Sequence, residues 1–190
     1  MSKLKSKKEV KHQSLFINAL KHPSSREEAF ARLVSEYKER LYWHIRKIVI
    51  DHDDANDVVQ NTFIKVHLNI ENFKENSTLF TWMYRIATNE ALNFIKSKAS
   101  KMGLQNQEWV EALADGLESD TYFDGDAAAL ALQKEVARLP EKQRIVFNMK
   151  YFDDMNYESI SEILDTSVGA LKASYHHAVK KIKTKLSDEN

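Results

Sequence analysis

The sequence predicts an all-α protein, with a four-helix N-terminal domain and a C-terminal helix-turn-helix domain joined by an acidic linker. Three observations predict it. Apolar residues recur at the helical period of 3.6, not the strand period of 2, over roughly 27–98 and again over 130–186. Glycine and proline are scarce, 4 and 2 in 190 residues, so few positions interrupt a helix. The one long interruption, "SKMGLQNQEWVEALADGLESDTYFDGDAA", is acidic and holds three of the glycines, as a linker between two helical units would.

Residues 1–26 carry seven Lys/Arg against one Glu and read as a basic N-terminal arm, loose over roughly its first 20 positions. The first domain, 27–99, is expected to hold helices near 27–49 and 54–69, a short piece near 71–76, and a last helix near 79–98. "HDDAND" places acidic residues where the free N–H groups and dipole of a helix start favour them. "NFKENST" is a polar turn before the last helix. The linker, 100–126, has seven Asp/Glu against one Lys between 101 and 126. The second domain, 127–190, is expected to hold helices near 127–138, 141–152, 157–164 and 168–186. Pro140 suits an early helical position with Glu141 behind it. Asn156 and Ser167 are the expected caps of the last two helices.

Composition excludes several classes. At 43% apolar the chain can bury a core, yet no apolar run reaches membrane-spanning length and no signal peptide is recognisable. The absence of cysteine excludes disulfides and fits a reducing, cytoplasmic setting. There is no phosphate loop, nucleophile elbow or paired metal-ligand motif, so no catalytic residue, metal or cofactor is expected. "DHDD" reads as a helix start, and His176 and His177 are sequential, not spaced as a helical metal pair. The formal net charge of zero hides an uneven distribution: basic ends flank the acidic middle, with ten Lys/Arg against seven Asp/Glu over 134–186.

Three helix faces call for explanation. From Asp54 to Leu68, Ala55, Val58, Val59, Thr62, Phe63 and Val66 form a core stripe, while Asp54, Asp57, Gln60, Asn61, Ile64, Lys65 and Leu68 lie opposite. That outer face is either solvated, with a stray isoleucine, or a mixed acidic and apolar partner surface. From Leu79 to Lys98, Met83, Ile86, Ala87, Ala91 and Phe94 face inward. Trp82, Arg85, Asn89, Asn93 and Lys96 fall within about 80° of one another. Such a face can stack on unpaired bases, read base edges and neutralise phosphate; alternatively Trp82 packs on a neighbouring helix inside a polar rim. In "DTSVGALKASYHHAVKKIK", Val168, Leu171, Tyr175, Ala178, Val179 and Ile182 face inward, and Gly169, Lys172, Ala173, His176, His177 and Lys180 face out. With the short "NYESISEIL" helix and the "DTS" turn before it, this is a helix-turn-helix pattern whose second helix enters a major groove. Asp165 stands where such turns often have glycine, and aspartate tolerates the left-handed conformation needed there.

Taken in series, these stretches resemble the sigma-70 superfamily, specifically the extracytoplasmic-function (ECF) sigma factors of bacterial RNA polymerase. "DDANDVVQNTFIKVH" and "FKENSTLFTWMYRIATNEALNFIK" resemble the family's second region, including its promoter-melting part. "LPEKQRIVFNMKYFDDMNYESISEILDTSVGALKASYHHAVKKI" resembles the fourth region, the minus-35 reader. The resemblance implies that Asp54, Asp57, Gln60, Asn61 and Ile64 dock on core RNA polymerase. It implies that Phe73, Lys74, Ser77, Phe80, Trp82, Arg85, Asn89, Asn93 and Lys96 hold the melted minus-10 strand. It implies that Ser167, Val168, Gly169, Ala170, Lys172, Ala173, Ser174, His176, His177 and Lys180 face duplex minus-35 DNA. An anti-sigma factor is a further implied partner. Two departures stand out. Asn93 replaces the family's usual aspartate, and Ala173, Ser174 and His177 replace a serine and two basic residues, which lowers the charge of the recognition helix. A conventional helix-turn-helix regulator would leave the Trp82 and Asp57/Ile64 faces without a purpose, and a helical anti-sigma-type interaction module would leave the basic last helix without one.

Overall fold

The structure, a computed structural model, describes residues 7–119 and 127–188. Among the described residues there are nine α-helices and no strand. They are α1 (Lys7–Lys21), α2 (Arg26–Val49), α3 (His52–Asn69), α4 (Leu79–Lys101), α5 (Asn106–Asp115), α6 (Ala127–Ala137), α7 (Glu141–Phe147), α8 (Tyr157–Leu164) and α9 (Val168–Asp188). A 3-10 turn, Ile70–Asn72, stands where the short piece near 71–76 was expected, and a second, Gly116–Ser119, follows α5. A π-helical turn, Asn148–Phe152, extends α7 across most of the expected 141–152 span.

Local chemistry sets the ends of these helices. Asp51 caps α3, its Oδ1 accepting from the Asp54 N–H at 2.9 Å, so "DHDD" is a helix start. Thr78 caps α4 through the Thr81 N–H at 3.1 Å. Asn156 caps α8 through the Ser159 N–H at 2.7 Å, and Ser167 caps α9 through the Ala170 N–H at 3.3 Å. Asp165 ends α8 in the left-handed conformation, φ 49° and ψ 49°, which turns the chain sharply into α9.

Two expectations about irregular segments need correction. The basic N-terminal arm is not loose over its described part: residues 7–21 form α1, because Ile17 and Leu20, 2% and 0% exposed, fall one helical turn apart and bury against α2 and the 3-10 turn. The acidic linker is not irregular throughout: α5 lies inside it, started by a Glu108 carboxylate that accepts from the Gln105 N–H at 2.8 Å. Val110, Ala114 and Leu117 share one face and are buried with α4 and α6, so this segment is fastened despite its charge. Positions 120–126 of the linker and 1–6 of the arm lie outside the described residues.

Helices α2, α3 and α4 pack on one another to form the first bundle, and α6 to α9 form the second. The two are not separate cores. One apolar cluster runs from Leu41, Ile45 and Ile48 of α2 through Tyr84, Ala87 and Ala91 of α4 to Met155, Ile160, Ile163 and Leu171 of the helix-turn-helix. Buried Arg144, 1% exposed, donates from its guanidinium to the Ala137 carbonyl at 3.1 Å, closing the free C-terminal end of α6. Burial pulls its pKa down to about 10, against the opposing charges of Glu141 and Glu111.

Candidate functional site

The outer face of α3 is well formed. Asp57, Gln60, Asn61 and Ile64 are exposed, while Ala55, Val58, Val59, Thr62, Phe63 and Val66 are buried, as the helical stripe requires. Ile64 is 49% exposed and Leu68, one turn on, 69% exposed, so the face carries an apolar patch beside the carboxylate of Asp57. Asp54 is the exception. It is only 9% exposed, and its carboxylate accepts from Lys98 Nζ at 2.9 Å, which fastens the start of α3 to the end of α4. That hydrogen bond raises the Lys98 pKa, with burial working against it. Asp54 therefore joins helices rather than presenting itself outward, since its position on the turn after the cap faces α4.

The turn before α4 and the first turns of α4 are more tightly packed than the pattern suggested. Phe73 is buried, 4% exposed, with its carbonyl accepting from Lys21 Nζ at 2.6 Å. Its ring lies 5.1 Å from that of Trp82, which is half-buried rather than freely exposed. Phe80 packs inward on Tyr84, centroids 4.2 Å apart, under the Arg40 guanidinium at 4.9 Å. Of the two readings of Trp82, the packed one describes this conformation. Lys74, Arg85, Asn89, Asn93 and Lys96 are exposed along one side, and Ser77 is half-buried. A cleft of about 480 Å³ opens beside the turn, lined by Phe16, Tyr37, Thr78, Leu79, Phe80 and, from the second domain, Ser159.

Helix α9 matches its sequence pattern closely. Ser167, Gly169, Ala170, Lys172, Ala173, His176, His177 and Lys180 are exposed, and Val168 and Ser174 are half-buried at its margin. Leu171, Ala178 and Ile182 are buried beneath. Nothing lies within 4 Å of the position a Cβ on Gly169 would take, so the close approach it permits is toward the outside. Lys172 Nζ sits 5.8 Å from the centre of the Tyr157 ring, which steers the lysine along the α8 side of the helix.

A second set of polar residues was not anticipated from the sequence. Asp153, in the turn after the π-helical segment, is nearly buried, its side chain 6% exposed. One oxygen lies 2.8 Å from His44 Nδ1 and the other 2.8 Å from Lys47 Nζ, both on α2. His44 is itself 0% exposed, and its Nε2 lies 2.9 Å from the Thr88 hydroxyl on α4. Burial alone pushes the Asp153 carboxyl up; the hydrogen bond and charge of His44, with those of Lys47, outweigh it and hold the carboxyl below the usual range. Buried Asn148 donates from Nδ2 to the Lys47 carbonyl at 3.1 Å. Arg85 donates to the Glu162 carbonyl. The available signals were a histidine in the apolar stripe Leu41–Ile45–Ile48 and a paired acid in "YFDDMN", neither of which identifies its partner from spacing alone.

Comparison with known proteins gives two family matches. Sigma-70 region 2 matches residues 33–101, and Sigma-70, region 4 matches residues 129–182, together more than half of the chain. The chain is 29% identical to the ECF RNA polymerase sigma factor SigW of Bacillus subtilis over 170 residues, 85% of this chain and 91% of that protein. It is 27% identical to the ECF RNA polymerase sigma-E factor of Haemophilus influenzae, covering 84% of this chain and 88% of that protein. Among solved structures it is similar to CnrH in complex with the cytosolic domain of CnrY, with TM-score 0.68, 21% identity and coverage of 94% of this chain and 98% of that one. It is also similar to the sigma factor RpoE in complex with the anti-sigma factor NepR from Bartonella quintana, with TM-score 0.65, 19% identity and coverage of 85% of this chain and 98% of that one.

Proposed function

The chain belongs to the ECF group of the sigma-70 family, and from that premise we propose that it binds core RNA polymerase and directs it to a class of promoters. It supplies recognition and strand opening; bond formation belongs to the polymerase. Its place of work is the cytoplasm, where polymerase and promoter are. No helix among the described residues is long and apolar enough to cross a membrane.

In this reading the α3 face, Asp57, Gln60, Asn61 and Ile64 with Leu68 beside them, docks on the polymerase. A compact apolar centre with acidic and amide neighbours is the composition of a protein interface rather than of a nucleic-acid one. The α4 side, Arg85, Asn89, Asn93 and Lys96, with Lys74 and Ser77 of the preceding turn, holds the melted minus-10 strand. Stacking on an aromatic is worth about 1–3 kcal/mol per base, enough to offset the opening of a base pair when Trp82 or Phe80 takes one base. Phe73 supports Trp82 from behind rather than touching DNA. The α9 face reads the duplex minus-35 element: Gly169, Ala170 and Ala173 let the backbone approach base edges, Lys172 and Lys180 lie toward phosphate, and Ser174, His176 and His177 offer polar contacts. An anti-sigma factor is a proposed partner.

The observation that carries this reading is the exposure, in one chain, of both the Asp57/Ile64 face and the α9 face. A stand-alone DNA-binding regulator has use only for the second. The test is reconstituted transcription. Added to core polymerase, the protein should yield initiation from promoters of the source cell, and Ile64→Asp should weaken polymerase association at least tenfold, about 1.4 kcal/mol, while circular dichroism stays unchanged. Unchanged association in that variant removes the α3 assignment.

A further inference from the structure

Helix α1 lies outside both stretches matched to the sigma-70 family, 33–101 and 129–182. Its last residue nevertheless reaches the turn that the proposed function sets against the melted strand. Lys21 Nζ donates to the Phe73 carbonyl at 2.6 Å and sits 5.8 Å from the centre of the Phe73 ring. The Phe73 N–H donates to the Ile70 carbonyl at 3.2 Å. Both polar groups of the Phe73 backbone are therefore held. Its ring, 4% exposed, is the surface on which Trp82 rests, 5.1 Å away.

Lys21 is itself held in place. The last four carbonyls of a helix have no partner within it, and in α1 all four find one outside. The Asn18 carbonyl accepts from the His22 N–H at 3.0 Å, and the Ala19 carbonyl from the Ser25 hydroxyl at 2.9 Å. Arg26 takes the other two: Nε donates to the Leu20 carbonyl at 3.2 Å and Nη2 to the Lys21 carbonyl at 3.1 Å. The same Nη2 donates to the Glu71 carboxylate in the 3-10 turn. Beneath these contacts Ile17 and Leu20 are buried in one cluster with Ile70 and Phe73. The end of α1 is thus fixed against the start of the turn by both polar and apolar contacts.

The turn has need of an anchor. Lys74, Glu75 and Asn76 are exposed, and Glu75 holds φ 58°, a left-handed conformation unfavourable to a residue with a side chain. Its course is set from its two ends, by the Thr78 cap of α4 and by the Lys21 contact at Phe73. Lys21 is half-buried with its ammonium directed at that carbonyl, so its charge is committed to the protein and not to phosphate.

We propose that Lys21 is a positioning residue for promoter opening: it fixes Phe73, and through Phe73 the ring of Trp82, where a minus-10 base is to be stacked. Arg26 keeps Lys21 within reach. This rests on the reading of the chain as a sigma factor, and it extends the strand-holding unit to a helix ahead of the family match.

The test uses the full chain reconstituted with core polymerase on a cognate promoter. Lys21→Met keeps the apolar stem and removes the donor. Polymerase affinity, read by competition, should not change. Permanganate reactivity of the minus-10 thymines, normalised to bound duplex, should fall about tenfold, as loss of one hydrogen bond from a charged donor allows. Lys21→Arg should restore most of it, since a guanidinium can donate to the same carbonyl. The salt slope of promoter binding should stay as in the wild type, whereas a lysine on phosphate would lower it by about one when removed. Unchanged opening in Lys21→Met overturns the proposal. So does a parallel loss of opening and polymerase affinity, which marks a role in the fold alone, and so does a lowered salt slope, which marks a DNA contact. Should Lys21→Met lose helical signal, Arg26→Gln decides, because it frees the end of α1 and leaves Lys21 present: opening should fall, and unchanged opening overturns the proposal. A wild-type chain that does not bind polymerase overturns the sigma reading and the proposal together. A wild type that binds and opens, with variants that open equally well, overturns the positioning role alone.

Discussion

The two faces assigned to DNA stand in opposite circumstances. On α9 the residues Gly169, Ala170, Lys172, Ala173, His176, His177 and Lys180 are all exposed. On α4 the aromatic end is packed, Trp82 on Phe73 and Phe80 on Tyr84, and Arg85 is engaged with the Glu162 carbonyl. On the proposed function, the difference follows from what each face would hold. A duplex groove is a rigid object, and a helix with small residues and lysines can wait for it fully formed at no cost in water. A single strand is held by aromatic surfaces, and an aromatic surface left bare in water is unfavourable, so it packs against its own protein until a base replaces that contact. The preformed face and the covered face are two answers to the same requirement for affinity.

The largest test of the contrast is removal of Asp153. Asp153→Ala leaves His44 buried without its acceptor, and loss of one member of such a buried pair costs about 3–5 kcal/mol. Urea denaturation should show that loss. Lys172→Ala, on the bare face, should stay within about 0.5 kcal/mol of the wild type. Comparable stability for both variants would mean that the Asp153–His44 pair does not form in solution.

Acid should act on the same pair. Because the Asp153 carboxyl is held below its ordinary range in the folded protein, its contribution is present in full above the ordinary aspartate pKa of about 3.9. It is lost as pH falls from there through the lower value of the folded protein. The urea midpoint should therefore fall on acidification below about pH 4 in the wild type, and Asp153→Asn should show a smaller fall.

Arg85 and Lys172 provide the next comparison, since both are cationic and assigned to nucleic acid. Arg85→Ala should lower stability by about 1 kcal/mol, and it should impair opening of promoter DNA, read by permanganate reactivity of thymines, more than binding of the duplex. Lys172→Ala should leave stability unaffected and lower the salt slope of holoenzyme binding to duplex promoter DNA by about one. Equal behaviour of the two would erase the distinction between a covered and a bare face.

The same contrast governs what the sequence made legible. The stripes of α3 and α9 were readable because each is a single helix with one face in the core, and the 3.6-residue period reports that directly: Val58, Val59, Phe63 and Val66, or Leu171, Ala178 and Ile182. The caps Asn156 and Ser167 and the left-handed Asp165 were readable because they are local. The status of Trp82 was not, because packing on Phe73 depends on the path of the turn between them. The contact between the two bundles was not readable at all. His44 and Asp153 are 109 positions apart, and no period links them. A buried histidine in the Leu41–Ile45–Ile48 stripe signals that some polar partner exists without naming it. The burial of α1 and α5 was masked by charge: the lysines around Ile17 and Leu20, and the acids around Val110 and Ala114, dominate the composition of segments whose few apolar residues are correctly spaced.

The smallest effect tests how firmly the bare face is aimed. Asp165 holds φ 49° between α8 and α9, a conformation that costs most residues about 1–2 kcal/mol but aspartate less and glycine nothing. Glycine also raises the entropy of the unfolded chain. The two terms nearly cancel, so Asp165→Gly should change stability by only a few tenths of a kcal/mol. Asp165→Val has no such compensation and should lose about 1–2 kcal/mol together with minus-35 binding, because a β-branched residue resists the left-handed turn that sets the angle of α9. If Asp165→Val keeps duplex binding while losing stability, the recognition helix is positioned by its buried face, through Leu171 and Ala178, and the turn merely connects. If both are lost together, the aim of α9 depends on the conformation of one residue.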